Sequence, residues 1–311
     1  METVAVVLEE PGKLAIRTLA LQETGADDII VEARWSGISS GTERLLWSGR
    51  MPDFPGMGYP LVPGYETVGT VIRGGHGFAE GDTVFVPGAN CYKDVRGLFG
   101  GAASRIVLPA RRAIPLKNIE AETGILVALA ATAHHAIAGE GASLPELIVG
   151  HGILGRLIAR LTIALGGTAP TVWDTAQTRR SGAEGYSTID PAQDTRRDYN
   201  TILDASGANG LLDTLIKRLA RRGEITLAGF YEDPVSFTFP PAFMREARLR
   251  IAAEFTKPDL EAVTDLVASG RLSLAGLISN RASAADAPQA YRTAFTDPSC
   301  IKMALDWSDL A

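Results

Sequence analysis

The stretch ELIVGHGILGRLIARLTIALGGTAPTVWD, residues 146–174, limits what this chain can fold into more than any other. An apolar strand runs into Gly150, Gly152 and Gly155, spaced G-x-G-x-x-G, and an amphipathic helix follows directly. Gly150 permits a tight turn. Gly152 leaves room for a pyrophosphate at a helix N-terminus, where free N–H groups and partial positive charge favour anions. Gly155 lets helix and strand pack closely, and Ile153 and Leu154 between them share the expected cofactor contact. Asp174 ends the next strand, 19 residues beyond Gly155. A carboxylate there accepts both ribose hydroxyls of NAD and repels a 2′-phosphate, so the pattern predicts a dinucleotide site preferring NAD. Arg179 and Arg180 lie close enough to qualify that preference, and His151 is expected to face the phosphates or solvent. A glycine turn of purely structural purpose is the plainer alternative.

The texture of the chain changes near residue 120. Before it, short strand-like segments (VAVVLEE, KLAIRTL, DIIVEARWSGI, ETVGTVIRGG, GDTVFVPGAN, ASRIVLPARRAIPL) are separated by glycine and proline, which predicts an all-β module, a distorted barrel. After it, an apolar helix GILVALAATAHHAIAG leads into strands alternating with helices, the rhythm of right-handed crossovers and a parallel sheet. The fold expected is α/β, with a β-barrel domain over residues 1–120, a doubly wound parallel-sheet domain over 121–256 and a C-terminal return to the first over 257–311. In such a sheet ligands lie at the carboxyl ends of strands, so Ser206, in DASG, and Phe230, in GFY, join the cofactor edge as backbone contacts.

Composition excludes several classes. A chain of 311 residues with 46% hydrophobic and 21% charged residues has room for two domains with a sizeable core. The formal net charge is −6 and no basic block is longer than a pair, which argues against nucleic acid as a partner. Cys91 and Cys300 are the two cysteines, too few for a disulfide framework or a cysteine-rich zinc lobe, and they fit a reducing cytoplasm. The N-terminus reads as a strand and not as a signal peptide. The longest apolar run, GILVALAATA, is about half a membrane span. A cytoplasmic protein is expected, with peripheral contact with a membrane surface left open.

Residues 37–66, GISSGTERLLWSGRMPDFPGMGYPLVPGYE, have the look of a site lining that lacks histidine and cysteine. Trp47, Met51, Phe54, Met57 and Tyr59, stiffened by prolines, make an apolar wall suited to a flat ligand, with a core or subunit contact as the alternative. Tyr92 is a further candidate to touch the substrate. Glu66, Tyr65, Ser39, Tyr92, His134 and His135 are the candidates for proton transfer. Glu66 qualifies as a base if an apolar pocket raises its pKa, against the alternative of a buried carboxylate paired with a basic residue.

The order of these segments resembles the medium-chain dehydrogenase/reductase superfamily over essentially the whole chain. GISSGTE, PLVPGYETVGTVI, GDTVFVP, GGAASRIVLPARRAIPL and YNTILDASG…GEITLAGF each match a family segment. The resemblance implies a GroES-like catalytic domain and a Rossmann domain, usually in a homodimer. It implies that Phe255 holds the nicotinamide through its backbone and that Lys302 reaches the pyrophosphate. His134 and His135 fall on the helix that faces the cleft, where an imidazole can relay a proton or ligate a pigment magnesium. In the zinc alcohol dehydrogenases of this superfamily, three ligand positions correspond to Ser39, Tyr65 and Ala128 here. Two hydroxyls and a methyl make no tetrahedral N/S set, so no metal is expected. The long passages at residues 36–66 and 87–116 resemble the branch that acts in bacteriochlorophyll synthesis. That likeness implies oxidation of the 3-(1-hydroxyethyl) group of a magnesium chlorin or bacteriochlorin to acetyl, with NAD accepting hydride. Arg44, Arg50 and Lys93 are candidates for the pigment's propionate, with solvated surface positions the alternative. A zinc-free enone or quinone reductase and a non-enzymatic NAD-binding redox sensor are the competing readings.

Overall fold

Strand Leu147–Val149 runs into the glycine turn, and helix Ile153–Ala164 runs out of it. The computed structural model describes every residue except Phe54, Glu140, Glu232 and Ala311. Around that strand lies a six-stranded sheet, in spatial order Ser187–Ile189, Thr171–Trp173, Leu147–Val149, Tyr199–Asp204, Leu219–Leu227, Arg248–Ile251. Numbered along the chain this is 3-2-1-4-5-6, and every pairing is parallel. That is the doubly wound order of dinucleotide-binding sheets, whose direction reverses between the first and fourth strands. The two outermost strands, Ser187–Ile189 and Arg248–Ile251, were not among the expected elements. One has three residues and the other alternates arginine with leucine and isoleucine, so neither carries an apolar run.

The chain divides into two compact units, residues Met1–Ala128 with Ala275–Ala311, and Leu129–Leu274. Limits at residues 120 and 256 were expected. Helix Val127–Ala138 carries the chain from one unit into the other. Helix Lys257–Ala268 belongs with the second unit, and the segment after it is tied there too. Arg271 Nη2 donates to Ala164 O at 3.0 Å, and Arg160 Nη1 to Ser273 O at 3.0 Å.

The first unit is made of two sheets. Strand Asp28–Ile38 is central to the larger one, pairing antiparallel with Thr67–Arg73, with Arg105–Pro109 and with the late strand Met303–Asp306. The smaller sheet begins with the hairpin Glu2–Glu10 and Lys13–Ala20, turned at Gly12 with φ +78°. Val6, Ile29, Val31, Val86, Ile106 and Leu305 fill the core. Among the described residues no helix is long and apolar enough to cross a membrane.

Asp259 fastens the second unit's late helix. Its Oδ2 accepts from Thr256 N and Oγ1 at 2.9 and 2.6 Å, closing a capping box on Lys257–Ala268. The same carboxylate accepts from His134 Nδ1 at 2.8 Å and His135 Nδ1 at 2.9 Å. Burial alone would raise the Asp259 pKa, but the Thr256 and histidine hydrogen bonds outweigh it and hold it down to about 2. A carboxyl lowered in this way contributes stability above its unfolded value of about 3.9, and loses it as pH falls toward 2. Asp259→Asn is therefore expected to cost about 1–2 kcal/mol at neutral pH. The difference from wild type should shrink between pH 4 and 2 in thermal unfolding followed by circular dichroism.

Candidate active site

In the second unit the turn is built as its glycines require. Gly150 takes φ +95°, a conformation side chains disfavour. A Cβ on Gly155 would lie 1.9 Å from Gly150 O, whereas one on Gly152 would point into open space at the start of the helix. That open space, against the first backbone N–H groups at Ile153 and Leu154, fits a pyrophosphate. Asp174 closes the far side. Its Oδ2 accepts His151 N at 2.9 Å and its Oδ1 accepts Ala176 N at 2.8 Å, which fixes the carboxylate at the strand end. Each oxygen keeps lone-pair capacity for a ribose hydroxyl. Arg180 is engaged with Asp174 O and Asp190 Oδ2, both at 2.9 Å.

His151 does not face phosphates or solvent, as expected, but is fully buried. Its Nδ1 meets the Arg179 carbonyl at 2.6 Å and so must donate, which leaves Nε2 to accept from Tyr186 OH at 2.8 Å. Burial pushes its pKa down to about 4, so the ring stays neutral. Arg156, one residue past Gly155, laces this turn to the next loop by donating to the carbonyls of His151, Arg179, Ser181 and Gly182. No sequence signal marked Arg156 or Tyr186 for these tasks.

At the neighbouring strand ends, Ser206 N and Oγ donate to Asp204 Oδ1 at 2.8 and 2.6 Å, and Tyr231 OH donates to Asp204 Oδ2 at 2.8 Å. Phe230 is 54% exposed. Phe255 is half-buried and directly precedes the Thr256 cap, so the His134–Asp259–His135 cluster lies beside the segment expected to hold nicotinamide.

In the first unit, Tyr65 OH donates to Ser39 Oγ at 2.8 Å, and its ring meets the edge of Phe99 at 5.1 Å between centroids. Burial and the neighbouring Glu66 push the Tyr65 pKa up, so the phenol keeps its proton. Glu66 is fully buried, paired through Oε2 with the Lys302 ammonium, while its Oε1 has no partner. Burial raises the Glu66 pKa and Lys302 draws it back. Lys302 also donates to Ile38 O at 3.0 Å. This corrects the expectation that Lys302 reaches a pyrophosphate: it is 2% exposed, and its charge is spent on Glu66.

Sequence reading missed Glu43. It is fully buried, accepting Ser39 N at 3.1 Å and Tyr291 OH at 2.7 Å, and burial pushes its pKa up to about 7. A carboxylate four residues past Ser39 was the available signal.

Of the expected apolar wall, Trp47, Met51, Met57 and Tyr59 come together, half-buried, against Leu8, Leu46 and Leu61. Tyr59 OH donates to Leu46 O, and the Trp47 ring meets that of Phe295 at 5.7 Å between centroids, tilted by 49°. Phe54 lies outside the described residues. Tyr92 is corrected: it is 2% exposed in the core with its hydroxyl given to Gly100 O at 2.6 Å, so it has no free edge for a substrate.

Residues 25–118 match the alcohol dehydrogenase GroES-like domain. Two relatives, each called 2-desacetyl-2-hydroxyethyl bacteriochlorophyllide A dehydrogenase, align over 99% of this chain and 99% of their own. The protein from Cereibacter sphaeroides is 56% identical and that from Rhodobacter capsulatus 55%. The chain belongs to the medium-chain dehydrogenase/reductase superfamily. It is an oxidoreductase of the alcohol dehydrogenase type. Solved structures agree on the fold. L-idonate 5-dehydrogenase from Escherichia coli superposes with TM-score 0.86 at 19% identity, over 98% of both chains. Acetophenone reductase from Geotrichum candidum in complex with NAD gives 0.82 at 17%, over 98% of this chain and 97% of its own.

Membership in this superfamily makes the donor set at Ser39, Tyr65 and Ala128 informative. Ala128 is fully buried and offers a methyl, and Glu66 is committed to Lys302. Among the described residues no group of three or more histidines, cysteines and carboxylates is placed to hold a metal ion.

The glycine geometry separates two substitutions. Gly152→Ala meets open space, so it should fold as wild type yet weaken NADH binding by about tenfold or more, about 1.4 kcal/mol. Gly155→Ala forces the helix from Gly150 O and should lower thermal stability as well. Fluorescence titration with NADH beside a melting curve distinguishes the two.

Proposed function

We propose that this chain oxidises the 3-(1-hydroxyethyl) side chain of a (bacterio)chlorophyllide to acetyl, with NAD as hydride acceptor and without zinc. The observation that carries the reading is 56% and 55% identity, over 99% of each length, with two relatives named for a hydroxyethyl bacteriochlorophyllide. Preference for NAD is supported by Asp174 at the strand end and by the engagement of Arg180, which leaves that guanidinium poorly placed to receive a 2′-phosphate. Independence of zinc is supported by the donor set, in which hydroxyls and a methyl stand at the family's ligand positions.

When bound, NAD supplies the acceptor for the hydride lost from the carbinol carbon. The chain's own residues hold and discharge the rest. The turn at residues 150–155 and Asp174 hold the dinucleotide, and the backbone at Phe255 flanks the nicotinamide. The Ser39–Tyr65 hydroxyl pair, whose phenol keeps its proton, offers hydrogen bonds to the substrate's hydroxyl. His134 and His135 are the bases available for the substrate's hydroxyl proton, each turned by Asp259 so that Nε2 carries the lone pair. Trp47, Met51, Met57 and Tyr59 offer a flat apolar wall to a macrocycle.

A second copy is the partner this reading expects. Arg248–Ile251 is an edge strand with Leu249 41% and Ile251 79% exposed, and helix Phe239–Arg245 before it exposes Phe239, Phe243 and Met244. An edge with exposed apolar side chains calls for cover, and pairing across a two-fold axis supplies it. Cytoplasmic location, with pigment handed over by pathway enzymes or at a membrane surface, completes the proposal.

Incubation with a 3-(1-hydroxyethyl) chlorophyllide and NAD should red-shift the pigment's absorption as acetyl forms. NADP should be about tenfold or more less effective, and zinc chelators should leave the rate unchanged. Stoichiometric zinc on which turnover depends would defeat the metal-free part. Reduction of simple enones with NADPH would favour an enone reductase, and NAD binding without turnover of either would favour a sensor. Ile251→Glu should convert a dimer to monomer in light scattering.

A further inference from the structure

A cation is built into the rim of the first unit's apolar wall. The short strand Arg96–Gly97 pairs in parallel with Leu61–Val62, Arg96 opposite Leu61, and Arg96 N donates to Pro60 O at 3.2 Å. Leu61 and Leu98, the latter two residues past Arg96, belong to the cluster that carries Trp47, Met51, Met57 and Tyr59. The guanidinium lies over Gly58, between Met57 and Tyr59. A Cβ on Gly58 would stand 3.0 Å from Arg96 Cζ and 3.2 Å from Nε and Nη1, and Gly58 takes φ +149°, so glycine is what lets the charge close on the wall. Arg96 is exposed, and its Nη1 makes a long contact with Tyr59 O at 3.4 Å. Among the described residues it forms no ion pair, and the rest of its donor fork has no protein acceptor. The cations named from the sequence are placed less well. Arg50 Nε is turned to Ser48 Oγ at 3.3 Å, and Arg44 and Lys93 are exposed with no side-chain hydrogen bond among the described residues.

Resting on the reaction proposed above, we infer that Arg96 receives the propionate carboxylate of the pigment and so selects free-acid pigment over its esters. A chlorophyllide is a flat apolar macrocycle with one free carboxylate, carried on a different pyrrole ring from the hydroxyethyl group. A wall of apolar side chains with an unpaired guanidinium at its rim matches both parts of such a molecule. The planar fork takes a carboxylate through two parallel hydrogen bonds, and a guanidinium is weakly hydrated, so little is lost in closing on the anion. An ester offers the same macrocycle without the charge and without two equivalent oxygens. The contact lies away from the carbon that loses hydride, so it acts through binding and orientation of the pigment and not on the chemical step itself.

The test compares kcat/KM for a hydroxyethyl chlorophyllide and for its propionate methyl ester, each with NAD. Wild type should favour the acid by about fivefold or more at low ionic strength, and the margin should shrink as salt screens the pair. Arg96→Met keeps the apolar stem and removes the charge, so acid and ester should come within about twofold of each other, with the change in KM and not in kcat. Arg96→Glu should favour the ester. An acid preference that survives in both variants, or a wild type indifferent to esterification, overturns the inference. A role confined to packing would lower turnover of acid and ester alike and leave their ratio intact, which overturns it too. Both pigments are also titrated against the protein without NAD, by quenching of tryptophan fluorescence. If neither is oxidised, the reaction assignment fails, and the ratio of binding constants for acid and ester, in wild type and in Arg96→Met, decides this inference by the same criterion.

Discussion

The pairing of Glu66 with Lys302 is the contact on which the first unit's site is built. Glu66 stands just ahead of strand Thr67–Arg73 and Lys302 just ahead of Met303–Asp306, and both strands flank Asp28–Ile38. The ammonium reaches across to Ile38 O, the residue before Ser39. Gly37 makes this possible, because a Cβ there would fall 2.1 Å from Glu66 Oε2. A buried pair returns little net stability once desolvation is counted, but loss of one partner leaves a bare charge that costs about 3–5 kcal/mol. Glycine, the two flanking strands and the pair therefore require one another, and the position of Ser39 follows from all of them.

Much of the architecture was legible in local pattern. The glycine spacing, the apolar strand before it and the carboxylate after it each answer to a short-range steric or electrostatic demand, and residues 146–174 form the turn those demands describe. The hairpin at Pro11-Gly12, the buried helix around residue 130 and the final return strand follow in the same way. The outer strands were not legible, because strands as short as Ser187–Ile189 are recruited by their neighbours in the sheet and not by their own composition.

The site was legible in kind but not in pairing. Ser39 and Tyr65 meet, 26 residues apart, because two family segments that the sequence displayed are adjacent in space. Lys302 lies 236 residues from Glu66 and Tyr291 248 from Glu43, and nothing local at either end says which buried charge will find which partner. His151 was misread for a related reason. Between two glycines at an anion site an imidazole looks like a phosphate contact, yet the carbonyl of Arg179 and the hydroxyl of Tyr186, both brought by a later loop, give each ring nitrogen a neutral partner. Tyr92 was likewise drawn inward by the Gly100 carbonyl.

On the zinc-free reading proposed above, the electrostatics at Ser39 differ in sign from those of a zinc alcohol dehydrogenase. A metal ion stabilises an alkoxide before hydride departs. Here the buried charges are one ammonium and two carboxyls, so the surroundings run from neutral, with Glu43 protonated, to negative, with Glu43 ionised. Such surroundings would hinder a free alkoxide and favour positive character at the carbon that loses hydride. On the proposed reaction that carbon is attached to a conjugated macrocycle, which spreads positive character and conjugates with the carbonyl formed. A site with this charge is therefore matched to alcohols whose carbon bears cationic character well, and poorly matched to simple aliphatic ones. On the proposed reaction, a donor set without metal-ligand side chains and selectivity for a conjugated substrate would have a common physical origin.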